Sequence, residues 1–165
     1  MRKTIFLVLG CILFCQTYGQ NYQLHSVYIY SFIKYVEWPN EGRSDFTIGV
    51  YGDSPVSEHL QKMASVKKAG DRHIKIIKIK GLGDLSNLEM LFIPNSKVDE
   101  FDVIKSKLEG SNTLIITESA GLGQVGSNIN FIEMSGKLRF ELNRAAMQKQ
   151  NLRVSSELTA LAILI

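Results

Sequence analysis

From residue 20 onward, apolar residues recur in two rhythms: the three-to-four-residue period of a helix and the two-residue period of a strand. Tyr22 to Glu37 reads as a helix, with Leu24, Val27, Tyr28, Phe32, Tyr35 and Val36 forming one apolar stripe. Trp38-Pro39 ends it, because the residue before a proline is pushed out of helical geometry. Phe46 to Tyr51 is rich in strand formers, and Gly52-Asp53 turns it. Ser54 reads as an N-cap with Pro55 at the first helical position, where a missing N–H costs nothing. That helix is expected to run to about Lys68. His73 to Lys80 then sets Ile74, Ile76 and Ile79 against Lys75, Lys78 and Lys80. The doubled Ile76-Ile77 breaks the alternation, so the segment is either an edge strand with a bulge or a strand buried on both sides at its middle.

Met90 to Pro94 is a short apolar strand, and Thr113 to Thr117 is another. Between them Lys97 to Leu108 reads as an amphipathic helix, with Val98, Phe101, Val103, Ile104 and Leu108 available to a core. Strands separated by helices imply parallel pairing with helices on both faces. From Asn128 the grammar changes. Two alternating runs, Asn128 to Met134 and Lys137 to Asn143, flank the turn signal Ser135-Gly136 and predict a β-hairpin. Arg144 to Gln150 is a short helix, Leu152 to Val154 an extended piece, and Ser155 the N-cap of a final helix from Glu157 to Ile165. That helix is nearly all apolar and is expected to be buried or covered by a partner. The fold expected is a single-domain α/β fold: a mixed, mostly parallel sheet with helices on both faces, a C-terminal β-hairpin and a terminal helix.

The N-terminus changes what counts as the folded chain. Arg2 and Lys3 precede the apolar run Ile5 to Phe14, and Thr17-Tyr18-Gly19 offers small residues before Gln20. This is the pattern of a secretory signal peptide, expected to occupy residues 1–19 and to be cleaved near Gly19/Gln20, leaving residues 20–165 as the domain. A membrane span needs about 20 apolar residues, more than this run supplies. Both cysteines, Cys11 and Cys15, lie in the leader, so the mature domain is expected to hold together by core packing rather than disulfides. Removing Arg2 and Lys3 from the 19 basic residues leaves 17 against 16 acidic ones. A balance so close to neutral gives no electrostatic footprint for a nucleic-acid partner.

Candidate chemistry is sparse. Gly121-Leu-Gly-Gln-Val-Gly126 matches the glycine pattern of dinucleotide-binding loops, but that motif opens a helix, whereas a strand is predicted here. No cofactor is therefore expected. His25, His59 and His73 show no ligand spacing, and no metal is expected. Ser155-Ser156 reads as a helix cap, with no base beside it to make a nucleophile. Arg139, Glu141 and Asn143 share one face of a predicted strand. Such a face is ordinarily solvated, yet arginine, carboxylate and amide together can also form a small polar site. Trp38 could anchor a partner or plug a helix end.

The segments Tyr28-Ile-Tyr-Ser-Phe-Ile-Lys-Tyr-Val-Glu-Trp-Pro39, Phe46-Thr-Ile-Gly-Val-Tyr-Gly-Asp53 and Leu91-Phe-Ile93 are distinctive together. Asn128-Ile-Asn-Phe131, Leu138-Arg-Phe-Glu-Leu-Asn143 and Leu152-Arg-Val-Ser-Ser156 follow in order. With these residues the chain resembles the YfiR/HmsC-type family of exported bacterial proteins. The resemblance implies a non-enzymatic periplasmic regulator that restrains an inner-membrane diguanylate cyclase and so controls cyclic-di-GMP and biofilm formation. Alternatively, it implies an input module for a membrane sensor kinase or a solute-binding protein, with a possible small ligand and a possible homodimer. The candidate residues for ligand or partner binding are Glu37, Trp38, Asn130, Arg139, Glu141 and Asn143. One departure is plain: better-known members carry disulfide-forming cysteines, and this domain keeps none.

Overall fold

Two four-residue apolar runs, Met90–Ile93 and Leu114–Thr117, lie side by side in parallel, and none of their residues is more than 1 % exposed. A strand pair dry on both faces must be covered from both sides, and the rest of the chain does this. The computed structural model describes residues 18–39 and 42–165, so the leader sequence expected over residues 1–19 falls almost wholly outside the described residues. The first elements are α1 (Tyr18–Tyr35), β1 (Val36–Glu37), β2 (Asp45–Tyr51), α2 (Val56–Ala64), β3 (Lys68–Ala69) and β4 (Arg72–Ile79). They are followed by β5 (Met90–Ile93), α3 (Phe101–Lys107), β6 (Leu114–Thr117), β7 (Ile129–Met134) and β8 (Lys137–Leu142). The chain closes with α4 (Arg144–Lys149), β9 (Arg153–Val154), α5 (Ser156–Leu161) and β10 (Ile163–Leu164).

Eight strands form one sheet in the order β10-β8-β7-β6-β5-β2-β4-β3, while β1 and β9 make a separate antiparallel pair. Pairing is parallel from β4 through β2, β5 and β6 to β7, antiparallel in the β7–β8 hairpin, and parallel again between β8 and β10. The α/β class, the mostly parallel mixed sheet and the hairpin are as the sequence predicts. The hairpin turn places Ser135 at φ +53 and Gly136 at φ +72, the left-handed pair that a tight two-residue connection needs.

Alternation along the strands sorts the core into two layers. Met90, Phe92, Leu114 and Ile116 face a cluster with Ile29 and Phe32 of α1 and Leu60 of α2. Leu91, Ile93 and Ile115 face Phe101, Ile104 and Leu108 on the other side. The same logic resolves the Ile76-Ile77 doublet. β4 pairs with β2 without interruption from His73 to Ile79, so no bulge is present. Ile74 and Ile76 serve the first layer, and Ile77 and Ile79 the second.

Four boundaries differ from expectation. The buried positions of α1 are His25, Ser26, Ile29, Phe32 and Ile33, continued by Val36 at the start of β1, whereas Leu24 and Val27 are 47 % and 57 % exposed. Treating His25 as polar turned the expected stripe by one position. The second helix stops at Ala64, four residues early, because Lys68–Ala69 is drawn into pairing with β4. Ser54 still caps it, its hydroxyl accepting the Val56 N–H at 3.3 Å. The expected Lys97–Leu108 helix is a 3-10 segment, Asn95–Glu100, joined to α3, and Val103 is exposed. The apolar C-terminus is not one helix. After Leu161 the chain extends, and Ile163–Leu164 pairs with Glu141–Leu142, covering the outer edge of β8.

The corrected phase of α1 is directly testable by urea denaturation. Ile29→Ala is expected to cost about 2–5 kcal/mol, as buried truncations do. Leu24→Ala should stay within about 0.5 kcal/mol of wild type. Equal costs at the two positions would contradict the packing of α1 described above.

Candidate functional site

Open α/β sheets bind ligands beyond the carboxyl ends of their parallel strands, near the point where strand order reverses. Here the chain runs from β2 out to β4 and then returns to β5 on the other side of β2, so the reversal lies between β2 and β5. That crevice is filled by the protein's own side chains. The Tyr51 hydroxyl donates to Glu100 Oε2 at 2.5 Å, and Lys97 Nζ donates to Glu100 Oε1 at 2.9 Å. Burial, together with Glu100 as acceptor, pushes the Tyr51 hydroxyl up to about 12. The hydrogen bonds from Tyr51 and Lys97 hold the Glu100 carboxyl below its ordinary range.

The open cleft lies farther along the sheet, past the ends of β5, β6 and β7, with a volume of about 490 Å³. Tyr22, His25, Asn95, Glu118, Glu133 and Glu141 supply its polar lining. Glu118 follows directly on β6, and its carboxylate is largely withdrawn from water. His25 Nε2 lies 3.5 Å from Glu118 Oε2, the Tyr22 hydroxyl donates to Oε1 at 3.3 Å, and the Asn95 N–H donates to the same oxygen at 3.2 Å. The imidazole is held among Tyr22, Phe92 and Phe131, with ring centroids 5.1, 6.2 and 4.3 Å away. Burial raises the Glu118 pKa, and the hydrogen bonds from Asn95 and Tyr22 offset this only in part. Burial and the Glu118 charge together raise the Tyr22 hydroxyl. Three carboxylates and one histidine in a half-open cleft suit a cationic or hydrogen-bond-donating group, such as an amine, better than an anion.

The predicted polar face of the hairpin reaches this region in part. Glu141 lines the cleft and accepts from Asn130 Nδ2 at 2.8 Å, while the Asn130 carbonyl accepts from the Thr117 hydroxyl at 2.7 Å. Asn143 donates from Nδ2 to the Gly123 carbonyl at 2.8 Å and caps α4 by accepting the Ala146 N–H at 2.9 Å. Its role there anchors the glycine loop. A Cβ on Gly123 would stand 2.5 Å from Glu141 Oε2 and 2.8 Å from Ile165 Cδ1, so that residue is small because the loop lies against Glu141. The loop leads into β7, so no helix N-terminus follows it to receive a pyrophosphate. Arg139 shares the alternation but is exposed and lies outside the cleft lining.

Glu37 and Trp38 lie at the opposite end of the strands. Glu37 is exposed in the β1–β9 pair, opposite Arg153. Trp38 Nε1 donates to the Glu89 carbonyl at 2.9 Å and its ring meets Phe46 edge-on at 5.0 Å. The Glu89 side chain is buried and receives the partly exposed Arg72 at 2.8 Å and the Thr47 N–H at 2.7 Å, so Trp38 is anchored on the backbone of a residue whose carboxylate is paired. The sequence reading missed His25, Tyr22 and Glu118. The signal for His25 was its position, four residues before Ile29 and seven before Phe32 on the buried stripe. Among the described residues, no group of three or more His, Cys, Asp or Glu side chains is placed to hold a metal ion.

The raised Glu118 pKa has a definite sign for stability. A carboxyl that protonates more readily in the fold than in the unfolded chain favours folding at low pH, and that contribution is lost as pH rises through the folded value. Measured against Glu118→Gln, the wild type should therefore lose relative stability as pH rises above the ordinary glutamate value of 4.5. Denaturation midpoints across a pH series would show it. Wild-type stability that instead rises relative to Glu118→Gln as pH increases would mean that the fold favours a charged Glu118.

Comparison with known proteins agrees with this architecture. The crystal structure of an ABC domain in complex with L-Trp from Streptococcus pneumonia superposes with a TM-score of 0.52 at 11 % identity, over 72 % of this chain and 54 % of that one. The chain thus spans about half the length of that structure, and the likeness is one of fold. No curated protein matches the chain. A family model described as YfiR/HmsC-like matches residues 22–163, nearly every residue of the folded domain. The protein belongs to the YfiR/HmsC-like family.

Proposed function

We propose that the protein is exported to the periplasm and there restrains an inner-membrane diguanylate cyclase, without catalysis of its own. The observation that carries this reading is the family match from residue 22 to residue 163. The surface supports it. Leu161, Leu164 and Ile165 are large apolar side chains left exposed beside β10, which ends the sheet and pairs on one side only. An apolar cluster next to an open strand edge is a natural contact surface for another protein. Among the described residues no helix is long and apolar enough to cross a membrane. Restraint requires only that the protein bind the inactive state of its partner more tightly. About 1–3 kcal/mol of such coupling changes activity roughly 5- to 150-fold.

A second reading, as an input module for a sensor kinase or as a solute-binding protein, is favoured by the acidic cleft at the strand ends and by the likeness in fold to a domain solved with L-Trp. In that case the cleft around His25 and Glu118 is the main business and the apolar edge is secondary.

In a host that encodes such a cyclase, deleting the gene should raise cellular cyclic-di-GMP several-fold and increase biofilm. Complementation with Leu164→Glu, shown to be folded by its melting temperature, should fail to lower the nucleotide. Arg139→Ala, at an exposed position, tests whether the hairpin face joins the contact. An unchanged nucleotide level on deletion would overturn the cyclase reading in favour of the second.

A further inference from the structure

The apolar stripe predicted along α1 counts Leu24 and Val27, and the core uses neither. Val27 opens instead onto a groove of about 570 Å³ between α1 and α2. Across it lie Met63 of α2 and Val66, just past that helix and 76 % exposed. The lining residues of α1 run from Gln23 to Tyr35, so at about 1.5 Å per residue the groove follows the helix for about 18 Å. Its charged lining is lopsided, with Lys34, Lys62 and Lys67 against one carboxylate, Glu58. All three lysines are exposed, and none makes an ion pair among the described residues. Lys67 Nζ lies over the Tyr30 ring and Lys34 Nζ over the Tyr35 ring, each at 5.4 Å. By contrast Lys78, Lys97 and Lys105 each have a carboxylate partner.

We propose that this groove is the docking site for an amphipathic helix of a partner protein, one that carries acidic residues beside its apolar face. A groove with apolar walls between two helices accepts a third through anchors spaced at i, i+3, i+4 and i+7. A length of about 18 Å matches roughly three turns of such a helix. Around the apolar walls, the three lysines without carboxylate partners complement glutamates or aspartates flanking the anchors, and a basic helix would meet them as like charges. A flat anionic bilayer would reach the lysines but leave the concave surface unfilled. The groove lies beside β4, because α2 packs on both α1 and β4, whereas β10 ends the sheet on the far side. It is therefore a second contact surface, separate from the β10 edge and independent of whether the membrane partner is a cyclase.

Fluorescence anisotropy tests it with a labelled synthetic peptide of about 14 residues, leucines on one helical face and glutamates elsewhere. A second peptide of the same pattern carries lysines in place of the glutamates. The acidic peptide should bind saturably, and the lysine peptide should not at equal concentration. Val27→Glu, at an exposed position where the melting temperature should hold, is expected to weaken binding at least tenfold. The double change Lys62→Glu with Lys67→Glu should do the same and admit the lysine peptide. Val103→Glu, at a similarly exposed valine of α3 on the other face of the sheet, should bind as wild type does. No saturable binding of the acidic peptide, equal binding of the lysine peptide, or undiminished binding by Val27→Glu would overturn the proposal. So would sedimentation with phosphatidylglycerol vesicles in place of peptide binding, lost in the double lysine variant, because the rim would then be a membrane contact.

Discussion

The structure depends on one strand pair, β5 with β6, being dry on both faces. Two paired runs of four residues with almost no exposure cannot sit at a surface. They need one layer of helix above and another below, and α1 with α2 and α3 provide them. The rings of α1 pack on Phe92 of β5, Phe131 of β7 and Phe140 of β8, and its start and the residues just past its end fall at opposite ends of the sheet. At about 1.5 Å per residue its eighteen residues span some 27 Å. Tyr22 and His25 are thereby placed over the carboxyl ends, and Trp38, just beyond the helix, over the amino ends.

The two ends are built differently. At the amino end, Glu89 is buried with Arg72 at 2.8 Å and a backbone N–H from β2, and its carbonyl accepts from Trp38. A buried carboxylate with an arginine and an amide donor is satisfied, and truncating one partner would leave an uncompensated charge. At the carboxyl end, Glu118 meets a histidine, a tyrosine hydroxyl and one N–H among the described residues, beside a cleft. Its raised pKa reflects this weaker compensation. One end thus closes the fold, while the other keeps titratable groups beside open space.

The glycine loop between β6 and β7 borders both the acidic cleft and a second cavity, beside α3 and α4. Glu141, on β8, and Asn143, just past it as the N-cap of α4, both meet the loop: Gly123 lies against the Glu141 carboxylate, and Asn143 Nδ2 donates to the Gly123 carbonyl. A ligand in one cavity and a partner on the nearby β10 edge would share the same hairpin as their support, which gives coupling between them a physical route.

By itself the sequence determined the α/β class, the hairpin with its Ser135-Gly136 turn, the Ser155 cap and the family, because each rests on local chemistry: periodicity, turn angles, a capping hydroxyl or a run of matching residues. It could not phase α1, since a histidine counts as polar until the glutamate it meets 93 positions later is in view. Nor could it tell that Trp38 is anchored on the Glu89 backbone carbonyl, or that Ile163–Leu164 leaves the last helix to pair with β8. Which side chains face a cavity, and which carboxylate stays poorly compensated, were decided where elements distant in the chain meet. There, burial and hydrogen bonding depend on neighbours that no local window contains.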